Sequence, residues 1–129
     1  MRRIKLRKPS TRFKAMLQSN KHQQWRRKRV KYQGGFCYYC PVKMTEIHEK
    51  PRRSDATLDH FIPTSLMGED HWENVVACCR SCNDKKGHLH PREFPAQSMF
   101  KIDYEKRMAV IALEDLEEDL EEEIVEEVA

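Results

Sequence analysis

Four cysteines stand in two Cys-x-x-Cys pairs, Cys37/Cys40 and Cys79/Cys82. Two cysteines at this spacing in a tight turn aim both sulfurs at one point, and Gly34-Gly35 ahead of the first pair gives the backbone freedom for that turn. Two such turns supply four thiolates, the closed tetrahedral shell of a structural zinc ion. The competing reading is a pair of redox dithiols, or cysteines packed as small apolar residues. In a reducing compartment, paired cysteines more often bind metal than form disulfides. The fifth, Cys78, has no partner at ligand spacing and ends an apolar run, so it reads as a core residue.

Three polar residues occupy positions that stability does not obviously require: Asp59, His60 and Asn74. The elements that must position them are short. Leu58 to Ile62 reads as a strand stopped by Pro63, and Asn74 to Cys78 as a second strand. Thr64 to Glu73 forms the loop between them. A helix from about Cys79 to Lys86 should follow, ended by Gly87 with Pro91 beyond. On it Cys79, Cys82, Asn83 and Lys86 fall at i, i+3, i+4 and i+7, on one face. A metal clamping the first turn would therefore fix Asn83 and Lys86 beside it. Each polar residue also has a plain reading: a satisfied core histidine, a turn-capping asparagine, an ordinary helix asparagine, or a surface aspartate paired with a base.

The series Cys37-x-x-Cys40, then Leu58-Asp59-His60-Phe61-Ile62-Pro63, then Asn74 through Cys82-Asn83-Asp84-Lys85-Lys86-Gly87 resembles the HNH endonuclease family, in particular its McrA-like phage and bacterial members. The resemblance covers about residues 34–91. It implies a ββα-metal module with one divalent cation; with the four-cysteine zinc staple, the basic helical arm before it and the acidic helix after it that the residues themselves suggest, the fold class is α+β. It further implies His60 as general base, Asp59 and Asn83 as ligands of one catalytic cation, and Asn74 as the residue that orients the His60 loop. Asn83 stands where many members carry His. A carbonyl oxygen and a carboxylate favour hard Mg²⁺ or Mn²⁺. Phosphodiester hydrolysis needs an activated water and a charge sink, which a neutral imidazole and a bound cation can supply. Asp59 and His60 are neighbours, however, and neighbours on a regular strand face opposite ways. Both serve one phosphate only if the substrate wraps the strand's end or the strand distorts there.

Composition sets the surroundings. The chain has 129 residues, 39% hydrophobic and 35% charged. So small an apolar fraction calls for a staple such as a metal. The net charge of +3 hides an asymmetry, because residues 1–45 contain no acid and no base follows Arg107. The chain divides into a basic arm (1–33), a compact module (34–95) and an acidic tail (96–129). Ser10 or Thr11 would cap a helix in the arm. Arg26, Arg27 and Arg29 there, with Arg80, Lys85 and Lys86 on the module helix, suit DNA phosphates; the alternative is a solvated helix face. His71, His88 and His90 are spare candidates, and His88 and His90, which follow the helix-ending Gly87, read as loop histidines or phosphate contacts rather than ligands. Trp25, Tyr38 and Tyr39 would stack on bases or pack the knuckle. In the tail, Leu113, Leu116, Leu120, Ile124 and Val128 recur at helical spacing, a stripe suited to a protein partner or self-association. No secretory signal and no membrane-length apolar run is visible, so a soluble, cytoplasmic protein of a bacterial or phage-infected cell is expected. The leading expectation is a metal-dependent DNA endonuclease, phage-encoded or restriction-associated. The other is a non-catalytic zinc-knuckle module that binds nucleic acid, or an adaptor.

Overall fold

The computed structural model describes residues 11–46 and 50–128, with side chains over 20–46 and 50–121. Its centre is a two-stranded antiparallel sheet of β1 (Ala56–His60) and β2 (Val75–Cys79). The register runs from Ala56 opposite Cys79 to His60 opposite Val75. Every residue of β2 is buried, which explains a strand of Val-Val-Ala-Cys-Cys with no polar alternation. The shorter helix α2 (Arg80–Lys86) follows directly, and Gly87 closes it at φ +50° with its N–H on the Asn83 carbonyl. The architecture is α+β, as the sequence implies.

β1 lies earlier than its sequence signal, starting at Ala56 rather than Leu58 and ending at His60 rather than Ile62. The cause is Asn74. Phe61 N–H still reaches the Asn74 carbonyl at 2.7 Å. The next residue, Ile62, gives its N–H to Asn74 Oδ1 (2.9 Å) and takes Asn74 Nδ2 on its carbonyl (3.0 Å). A side-chain amide thus replaces the ladder and turns the chain into the loop. Gly68 completes that loop: a Cβ there would lie 1.8 Å from the Ile62 carbonyl oxygen, so no other residue fits without moving backbone.

Two long helices enclose the sheet. α1 (Thr11–Tyr32) packs on both strands; its expected cap Ser10 lies outside the described residues. The buried Gln33 ends it and pairs with β2 like a third strand, accepting from Ala77 N–H at 2.9 Å and donating to the Ala77 carbonyl at 2.8 Å. An otherwise open sheet edge is thereby satisfied. α3 (Lys101–Val128) leans on the core through Tyr104, Met108 and Ile111, one face at helical spacing. The stripe read from the sequence begins where this contact ends: Leu113, Leu116 and Leu120 are exposed. The side chains of Ile124 and Val128 lie outside the described residues.

Aromatic rings fill the centre. Tyr38 meets Phe61 edge-on at 6.2 Å and stacks on Phe100 at 5.4 Å, while Tyr39 meets Phe94 at 5.1 Å. Tyr38 and Tyr39 therefore serve packing, each ring worth roughly 1.5–3 kcal/mol of burial. Among the described residues no helix is long and apolar enough to cross a membrane.

Candidate active site and metal centres

Cys37, Cys40, Cys79 and Cys82 converge, their sulfurs all within 4.8 Å of one another. Cys40 and Cys79 Sγ stand 3.7 Å apart. Tetrahedral zinc with bonds of about 2.3 Å separates its sulfurs by about 3.8 Å. Backbone N–H groups of Tyr39 and Cys79 point at Cys37 Sγ (3.4 and 3.3 Å), and that of Cys82 at Cys79 Sγ (3.4 Å). Such donors favour thiolate sulfur. Burial opposes it, pushing the Cys37 thiol up to about 11 despite those N–H groups. Four anionic sulfurs in this place need a cation beside them, and the cluster could hold one. Gln97 fastens the knuckle from outside, donating to the Cys40 carbonyl at 2.8 Å and also to that of Cys37. Cys78 is buried behind Thr57 and is no part of the cluster.

β1 carries two different environments on its two faces. Thr57 and Asp59 face α2. Asn83 Nδ2 donates to Thr57 Oγ1 at 2.9 Å, and its Oδ1 makes no hydrogen bond among the described residues. The Asp59 carboxylate, only 6% exposed, takes Lys86 Nζ at 3.0 Å and the Tyr39 hydroxyl at 2.6 Å. Burial, with the Asp59 charge next, pushes the Tyr39 phenol well up, so it remains a donor. His60 faces the other way, toward α1. Its Nε2 lies 2.9 Å from Asp70 Oδ1, and its Nδ1 makes no hydrogen bond among the described residues. The same oxygen meets His22 Nε2 at 2.7 Å, and Lys21 Nζ takes the other at 2.8 Å. Lys21 first, then the His60 ring, holds the Asp70 carboxyl well below the usual carboxylate range. Asn74 Nδ2 also donates to the Glu69 carbonyl at 2.8 Å, so it anchors the loop that delivers Asp70.

Residues 37–99 match the family model of the HNH endonucleases. That match supports the HNH endonuclease reading over this segment of the chain. Nothing among curated proteins matches it. The HNH match runs past residue 95, to the stretch where Gln97 grips the knuckle, and it leaves α1 and all of α3 outside. Within the HNH module the ββα order holds, with β1 and β2 leading into α2.

Several sequence assignments need correction. β1 stays regular to its last residue, so Asp59 and His60 are not brought together, and Asp59 is enclosed rather than open. Lys86 does not face phosphates. It is 1% exposed, because its ammonium is drawn inward to Asp59 and to the His60 carbonyl at 3.0 Å. Arg29 is likewise engaged, stacked 3.8 Å over the Trp72 ring with a hydrogen bond to the Trp72 carbonyl at 2.7 Å. Arg26 leans on the Ala56 carbonyl at 3.4 Å. Arg80 is half-buried near Asp55, 3.9 Å away. Arg27 and Lys85 are exposed. His22, Lys21 and Asp70 join the site with no signal in the sequence to mark them. Nothing in spacing ties a histidine in the basic arm to an aspartate 48 residues later; only the docking of α1 does.

Proposed function

We propose that this protein is a metal-dependent endonuclease that hydrolyses DNA phosphodiester bonds, with His60 as general base. The observation that carries the reading is the His60–Asp70 pair on an HNH module. A carboxylate on Nε2 keeps the proton there and leaves the Nδ1 lone pair to accept one from water. Asp70 also stabilises the imidazolium that results. Asn74 positions the loop that holds this pair. Residues 34–95 act as the nuclease module between a DNA-binding arm and an acidic tail. The four cysteines hold zinc, whose donor set they match.

Asp59 and Asn83 offer the oxygen donors of a hard cation such as Mg²⁺ or Mn²⁺, which when bound supplies positive charge to the scissile phosphate. Their fit is one of donor type. Lys86 occupies the carboxylate and must withdraw before a cation can share it. Arg27 and Lys85 are the exposed bases suited to phosphate contacts, and the half-buried Arg80 is a third candidate. The exposed leucines of α3 suit a protein partner or a second copy.

The enclosure of Asp59 by Lys86 and Tyr39 favours a second reading, a nucleic-acid-binding module without cleavage. A supercoiled-plasmid assay separates the two, run with EDTA, Mg²⁺ and Mn²⁺ beside His60→Ala. Nicking that needs added metal and falls roughly 10²–10⁴-fold in the variant supports the endonuclease. Plasmid left intact with every metal, yet retarded on a gel at low salt, makes the binding module the better account. Undiminished cleavage by His60→Ala removes His60 from the mechanism.

A further inference from the structure

We infer that His22, His60 and Asp70 form a second metal site, separate from the cysteine cluster and from the Asp59/Asn83 face, which takes a transition-metal ion of the zinc class and switches the His60 base off. Their ligand atoms lie within 4.8 Å of one another. The two imidazole Nε2 atoms approach one oxygen, Asp70 Oδ1, at 2.7 and 2.9 Å. The rings stand nearly perpendicular, 87° apart with centroids at 5.9 Å, so the two nitrogens converge from different directions. Two imidazoles and a carboxylate are a borderline-soft set, suited to zinc and its neighbours rather than to Mg²⁺.

The distances leave room for an ion after a small movement. Bonds of about 2.0–2.1 Å in tetrahedral geometry place ligand atoms about 3.3 Å apart, roughly half an ångström beyond the present contacts. The side chains of His22, His60 and Asp70 are 33%, 28% and 38% exposed, so an ion can enter and keep a water in its fourth position. Supporting contacts are already in place. Lys21 holds the other oxygen of Asp70, and Trp25 packs on the His22 ring at 5.5 Å. Each N–H···O contact to Asp70 requires a proton on Nε2, and the ion replaces both protons with bonds to nitrogen.

That replacement has a consequence for His60, one that rests on the reading of His60 as base. With Nε2 bound to metal, the neutral ring carries its proton on Nδ1, and no lone pair remains to take one from water. His22 comes from α1, outside the matched HNH segment, so the arm supplies a ligand that the module lacks.

The test uses the full chain with its cysteine cluster filled by zinc and excess metal removed. Co²⁺ or Zn²⁺ is then titrated in, followed by calorimetry and by the visible spectrum of Co²⁺. Wild type should take up one further equivalent. His22→Ala and, as a variant of nearly unchanged shape, Asp70→Asn should bind it at least tenfold more weakly while keeping the cysteine-bound metal. No further equivalent in wild type, or an equivalent whose affinity His22→Ala leaves unchanged, overturns the site. In the second arm, plasmid nicking in excess Mg²⁺ is compared with and without one added equivalent of Zn²⁺, as a ratio within each variant. A tenfold or greater fall in wild type, relieved in His22→Ala, supports the switch; equal inhibition in both overturns it. Metal uptake without nicking under any condition supports the site and overturns the nuclease reading instead.

Discussion

On one face of β1 Asp59 is sealed against α2, and on the other His60 stands half-open against α1, although the two residues are adjacent. Each carries charged or ionisable partners, but the partners differ in kind. Asp59 has Lys86 and Tyr39, both buried, so its charge is neutralised within the protein. His60 has Asp70, His22 and Lys21, all within reach of solvent. A buried ion pair adds little stability relative to an apolar pair, yet breaking it leaves an uncompensated charge at high cost. An exposed cluster of ions is cheap to rearrange. The α2 face is therefore costly to rearrange, and the α1 face is cheap to rearrange.

The strongest way to break this comparison is to remove the frame under both faces. Cys79 ends β2 and opens α2, and Cys82 lies one turn on, so the turn of the cysteine cluster and the α2 face share one backbone. Cys82→Ser should lose most of the folding free energy that a bound structural metal supplies, several kcal/mol at least, and give a chain without cooperative thermal unfolding. Circular dichroism melts with and without a chelator check this. A sharp, chelator-insensitive transition in wild type would show that the core folds without metal.

Next in size is Lys86→Met, which keeps the stem but strands the Asp59 carboxylate. A loss of about 3–5 kcal/mol is expected, read from urea or thermal unfolding. If Mg²⁺ restores part of that loss, a cation fits beside Asp59 once the lysine is gone, which supports the Asp59/Asn83 pair as ligands. A loss below about 1 kcal/mol would mean that the α2 face is not sealed by this pair.

Smaller again is Asn74→Ala. It frees both polar groups of Ile62 and the Glu69 carbonyl, a cost of roughly 1–3 kcal/mol. Because the same loop delivers Asp70, nicking should fall further than stability alone explains, and the His60 ring should show altered NMR shifts. Unchanged His60 resonances would separate the loop anchor from the α1-facing cluster.

The legible parts of this molecule are the ones set by short spacing. The Cys-x-x-Cys pairs, the helix turn that places Asn83 beside Cys82, and the opposition of Asp59 and His60 all follow from 3.6- and 2-residue periods, which the backbone imposes wherever the element forms. The α+β class and the family resemblance were readable for the same reason, since the motif residues are few and their order fixed. The end of β1 was less so, because the Asn74 amide competes with the ladder across the loop.

What spacing could not specify is which distant groups share a contact. Lys86 and Arg29 look like surface bases in a charge count, yet a buried carboxylate and an indole face draw them inward. The leucine stripe of the tail is marked by its spacing, but only the packing shows that Tyr104, Met108 and Ile111 of the same helix meet the core while Leu113, Leu116 and Leu120 stay in solvent. His22 meets His60 and Asp70 only because α1 docks across both strands. Local geometry is decided by bonds and torsions within a turn or a strand, so the sequence by itself determined it; pairing across tens of residues is decided by how whole faces pack, and only the tertiary structure could decide that.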